Sequence, residues 1–140
     1  MFTSERNNAL RLWLIAVAVV LMAGCAGRKS RQQRLREFVE RALAERYMEG
    51  DYESYMESVD YGTELDTVQT QMILALHRQF ADRMEKTHGR VVSVGISDMK
   101  AEADTVSFVH YTVTYADSTE QATMMKVVEN NGTWRIKSRN

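Results

Sequence analysis

Residues 127–136 read Val127-Val128-Glu129-Asn130-Asn131-Gly132-Thr133-Trp134-Arg135-Ile136. An Asn-Gly pair supplies the positive φ angles of a type I′ turn, so the stretch predicts a tight hairpin. Its second strand, 133–139, sets Trp134 and Ile136 inward and Arg135 and Lys137 outward. Its first strand spans 121–129, behind a turn at 116–119.

Further back, 105–115 reads as a long strand with a slip in phase. Val106 and Phe108 keep one step, while Val109, Tyr111, Val113 and Tyr115 keep the other, which predicts a β-bulge or bend. Residues 98–104 are polar and turn-like. Before them Val92, Val94 and Ile96 alternate with Ser93, Gly95 and Ser97, a half-buried strand.

Upstream of residue 90 the period changes from two to that of a helix. Leu35, Phe38, Val39, Ala42, Leu43 and Tyr47 recur every three or four residues, predicting a helix over 30–49 with Gly50 as its stop. Asp51 is an N-cap for a short helix burying Tyr52, Tyr55, Met56 and Val59. Residues 60–63 read as a turn. A third helix is expected over 64–87, with Leu65, Val68, Met72, Leu76, Phe80 and Met84 inward. The apolar run 72–76 makes it the most buried helix of the three. Helices followed by strands give an α+β domain: N-terminal helices packed on a curved four-stranded antiparallel sheet, over 31–140.

The chain has 140 residues, 44% hydrophobic and 26% charged, with net charge −1. Without residues 1–24 it carries 16 basic and 18 acidic side chains, so no nucleic-acid partner is expected. There is one cysteine and no proline. A lone cysteine in an exported chain needs an explanation other than an intramolecular disulfide.

That explanation lies in Leu12-Trp13-Leu14-Ile15-Ala16-Val17-Ala18-Val19-Val20-Leu21-Met22-Ala23-Gly24-Cys25. Arg6 and Arg11 precede an apolar run of 12 residues, 12–23. Such a run suits a secretory signal and falls short of the ~20 residues of a membrane span. Met22-Ala23-Gly24-Cys25 resembles the bacterial lipobox. The resemblance implies a signal peptide over 1–24, cleavage before Cys25, and palmitate and other acyl chains on that residue. A tether would then occupy 25–30. Several chains, at about 0.8 kcal/mol per buried CH₂, give lasting attachment to a membrane. Arg28, Lys29, Arg31, Arg34 and Arg36 beside the anchor could touch anionic headgroups or simply be solvated. Ala26 in place of Asp favours the cell outer membrane in such lipoproteins, and the lack of an acidic cluster favours the periplasm over the Bacteroidetes-type surface.

The domain resembles the nuclear-transport-factor-2-like superfamily, of cystatin-like cone fold. Gly50-Asp51-Tyr52 after the first helix and the closing Gly132-Thr133-Trp134-Arg135-Ile136 look like those of its small lipoprotein domains of unknown function. The resemblance implies a cone in which a curved sheet wraps a long helix. Some members are isomerases with an Asp base and a Tyr/Asp donor pair, yet Asp is scarce at the apolar strand positions here. His110 and Tyr111 point to opposite faces, a surface histidine and a core tyrosine. His77 and His88 would lie about 16 Å apart along a helix, so they cannot share a metal. No metal, nucleotide or hydrolase motif occurs, and no cofactor is expected. Tyr47, Tyr52, Tyr55 and Tyr61 could rim a ligand cavity, though tyrosines at helical spacing are more often core. The expectation is a lipid-anchored, non-catalytic binding or interaction domain, with a protein partner or homodimer possible. The rival is a cone-pocket enzyme, isomerase- or dehydratase-like, acting on a small apolar molecule.

Overall fold

The computed structural model describes residues 29–138. The signal-like segment and Cys25 lie outside the described residues. The chain divides into two units after Arg34, and the described residues 35–138 are compact. In the described part of the first, Ser30 and Gln33 exchange reciprocal backbone–side-chain hydrogen bonds, both 3.2 Å, in the manner of a capping box.

Helix α1 spans Arg31–Leu43 and continues as a π-helical turn, Ala44–Glu49. Leu35, Val39, Ala42 and Leu43 are its buried residues. The turn ends at Gly50 in the left-handed region (φ 65°), as its place after the apolar stripe predicts. Asp51 then caps α2, Tyr52–Glu57, accepting from Ser54 N–H at 3.2 Å and Ser54 Oγ–H at 2.7 Å. After a two-residue strand β1, Val59–Asp60, comes α3, Thr67–His88. Asp66 and Gln69 form a capping box at its start.

The sheet comprises β1, then β2 (Val91–Ala103), β3 (Val106–Tyr115), β4 (Glu120–Asn130) and β5 (Thr133–Lys137), in the order β1-β5-β4-β3-β2. It differs from the expected four antiparallel strands in having a fifth, β1, which pairs parallel with β5 through Val59↔Ile136. The β4–β5 hairpin forms as predicted, with Asn131 at φ 52° and Gly132 at φ 79°.

Three further expectations are corrected. Residues 98–103 continue β2 instead of turning; Met99 still packs on the core, and register shifts at 96–98 and 101–103 break the alternation that would mark the strand. The expected slip in β3 is absent: its pairing with β4 is unbroken and its buried phase runs Ser107, Val109, Tyr111, Val113, Tyr115. Ser107 holds the core position, while Val106 and Phe108 face the other way. The irregularities fall in β2, at residues 91–93, 96–98 and 101–103, where they locally bend the strand.

The third correction concerns α3. Its only fully buried residue among those described is Leu74, while Val68, Met72 and Leu76 are 71%, 58% and 59% exposed. The inward phase runs through Ile73, Leu74, His77, Phe80, Ala81 and Met84. The core proper joins α1 to the sheet through Leu35, Val39, Leu43, Val109, Val113, Val127 and Ile136. Each such side chain contributes about 1.5–3 kcal/mol relative to exposure.

The α3–β2 junction is fastened to the β3–β4 turn. His88 C=O accepts from Asp117 N–H (3.1 Å) and Arg90 C=O from Ala116 N–H (2.9 Å). His88 Nδ1 lies 2.8 Å from Asp117 Oδ2. Gly89 sits between at φ 83°, ψ −175°, a region open essentially to glycine alone. A Cβ there would meet Ala116 Cβ at 2.8 Å. Gly89→Ala is expected to lower stability by about 2–4 kcal/mol in denaturant titration. Gly62→Ala, at φ 78° in open space, should cost about 1–2 kcal/mol. Equal losses at the two positions would refute the close-approach account.

Candidate functional site

Because α3 meets the rest of the domain on few residues, a cavity of about 730 Å³ remains between it and the sheet. A second lobe of about 330 Å³ extends toward the C-terminal half of α3. The two lobes share Arg46, Tyr47, His77 and Phe80. Ile73 and Phe80 of α3 and Met125 and Ile136 of the sheet supply apolar wall.

The π-helical turn supplies Arg46 and Tyr47, and such turns occur often at functional sites. The Arg46 guanidinium carbon lies 4.9 Å from the Tyr47 ring centre and 5.2 Å from that of Tyr55. Its Nη1–H donates to Tyr55 Oη at 3.3 Å. Burial works against this charge, but the phenols around it more than offset that, and its pKa moves up. Among the described residues no carboxylate pairs with Arg46. The adjacent Glu45 lines neither lobe, and its buried Oε2 has no hydrogen-bond partner.

Tyr47 Oη and Tyr111 Oη are 3.1 Å apart. Desolvation pushes the phenols of Tyr47 and Tyr55 up, and that of Tyr61 up to about 12. All three stay protonated at neutral pH. His77 stacks on Tyr52 (5.5 Å, 5°) and meets Tyr55 edge-on (5.6 Å, 86°). Burial, and to a lesser extent Arg46, push His77 down to about 4, so the imidazole is neutral.

Among the described residues no acid lines the larger lobe, whose charged residues are Arg46, Lys126 and Lys137. Lys126 lies 6.0 Å from the centre of the Phe108 ring and Lys137 Nζ pairs with Asp60 Oδ2 at 2.8 Å. Phe108 and Lys126 are register partners in the β3 and β4 phase opposite Val109 and Met125. A separate cleft, also about 730 Å³, opens beside α2 and the first half of α3. Its charged residues are Glu53, Glu57, Asp60 and Arg135; Asp60 pairs with Lys137, and Arg135 donates to the Glu57 backbone carbonyl.

Of the residues singled out in sequence, Tyr47, Tyr55 and Tyr61 line the larger lobe and Tyr52 the smaller. Tyr55 is also core, at 6% exposed, so the two roles coexist. Tyr111 is buried at the cavity wall, and His110, in the opposite phase, is half-buried. His77 and His88 serve different places. Among the described residues no cluster of metal-binding side chains occurs. Sequence reasoning missed Arg46, which follows Glu45 and precedes Tyr47 near the end of the first helix.

The depressed pKa of His77 sets a pH dependence. The unfolded chain protonates this group near pH 6.5 and the folded chain only near 4. Its contribution to stability is therefore present above about pH 6.5 and lost as pH falls toward 4. His77→Phe is expected to flatten the fall in melting temperature across that window. An unchanged slope would show that His77 is not held neutral.

No protein-family model matches the chain, and no curated protein does. Among solved structures it resembles a Campylobacter jejuni protein described as a "Putative NTF2-like transpeptidase", with TM-score 0.54 and 14% identity over 79% of this chain and 100% of that one. At that identity the likeness speaks to architecture, and the α+β fold of this chain is NTF2-like.

Proposed function

We propose that this chain is a lipid-anchored cell-envelope protein whose NTF2-like domain binds a small molecule in the cavity beneath α3 without transforming it. Support for the anchor is the run 12–23 ending at Met22-Ala23-Gly24-Cys25. Support for attachment at the outer membrane, facing the periplasm, is Ala26 and the absence of an acidic cluster after it. The binding reading is carried by the state of the cavity's titratable groups.

General acid–base catalysis works best with a group whose pKa lies near the working pH. In the larger lobe the phenols of Tyr47, Tyr55 and Tyr61 are pushed up, His77 is pushed down to about 4, and among the described residues no carboxylate is present. These groups can donate or accept hydrogen bonds but are poorly poised to exchange protons. The rival enzyme, isomerase- or dehydratase-like, draws on one observation: titratable side chains do converge in an open cavity. Transpeptidation, the chemistry named for the Campylobacter jejuni protein, requires an activated nucleophile. Among the described residues His77 has ring contacts only, with no hydroxyl hydrogen-bonded to it.

Two experiments address the two halves. Cys25→Ser is expected to abolish labelling by a palmitate analogue and release the chain from membranes, whereas unchanged retention would reject the lipid anchor. Solvent extraction of the purified full chain is expected to release a small molecule that returns unaltered after reincubation. Its conversion to a product would replace the binding reading with the enzyme.

A further inference from the structure

Resting on the binding reading above, we propose that the ligand is an amphipathic monoanion, its single oxyanion headgroup held by Arg46 and its apolar body lying between α3 and the sheet. Arginine is rarely taken out of water without a counter-charge. Arg46 is half-buried at the junction of the two lobes, with no carboxylate partner among the described residues. Its fork carries five N–H donors, and one goes to Tyr55 Oη. The rings of Tyr47 and Tyr55 flank the guanidinium. Such a fixed planar fork suits bidentate recognition of a carboxylate or similar oxyanion. Tyr47 and Tyr111, hydroxyl to hydroxyl at 3.1 Å, place further donors nearby.

The remaining walls select the rest of the molecule. Ile73, Phe80, Met125 and Ile136 offer apolar contact, and about 730 Å³ is within the range of small-molecule sites. A cationic headgroup would find no acid among the described residues of this lobe. A second negative charge would find Lys126 in the strand phase opposite Met125, and Lys137 already paired with Asp60. One charge on an apolar body is the class that fits.

The test uses the full chain held in phosphatidylcholine nanodiscs, with empty nanodiscs as blank. Calorimetry compares 4-phenylbutyrate with its neutral amide, 4-phenylbutanamide. The acid is expected to bind at least about tenfold more tightly than the amide, as loss of a charge-assisted contact implies. Arg46→Gln should abolish that preference by weakening the acid far more than the amide, and Arg46→Lys should retain part of it. Equal affinity for acid and amide in the wild type overturns the anion assignment while leaving the cavity a binding site. So does a preference that persists in an Arg46→Gln protein with a wild-type melting curve. Failure of both probes to bind overturns the binding reading together with this inference. Should Arg46→Gln not fold, the wild-type comparison of acid with amide and the Arg46→Lys result decide.

Discussion

The cavity depends on how α3 is held. Its C-terminal end is clamped to the β3–β4 turn, where Gly89 approaches Ala116 and His88 meets Asp117. Midway, Leu74 is buried and His77 rests on Tyr52 and Tyr55. Between these points the helix spans the sheet without filling the space beneath. A helix packed along its whole length would bring apolar side chains into that space and leave Arg46 no place. The loose middle of α3 and a guanidinium with no carboxylate partner among the described residues are two aspects of one arrangement.

Much of the order of elements was legible because its signals are local. Gly50, Asp51 and Asn131-Gly132 each demand a particular backbone state, and each adopts it. The face of α3 was not legible. Its apolar residues nearly surround the helix at 72–76, so no single phase stands out, and His77 reads as polar although it turns inward. Ser107 misled in the same way in β3, where one small hydroxyl on the buried face mimicked a slip. The length of β2 was hidden because register shifts at 96–98 and 101–103 interrupt its alternation. The pairing of β1 with β5 was invisible, since two residues are too few to show a period.

The candidate site was half legible. Four tyrosines could be seen to gather near the α1–α2 junction, and the structure brings three of them to the larger lobe and Tyr52 to the smaller. Arg46 was passed over because cations near helix ends are usually solvated. What distinguishes it is long-range: the phenols of Tyr55 and Tyr111, brought in by other elements, and the absence of an acid from the lobe it enters. The π-helical turn that carries it has no sequence signature of its own.

The parallel pairing of β1 with β5 bears on when the domain can assemble. Lys137 and Asp60 at that seam are 77 residues apart along the chain. Joining so distant a pair carries an ordering cost before its contacts repay it, which slows folding. Helices and the β2–β3–β4 meander can form early, but the sheet edge at β1 stays open until β5 arrives to occupy the place between β1 and β4. The β1 edge is therefore the last part of the sheet that the order of synthesis allows to close.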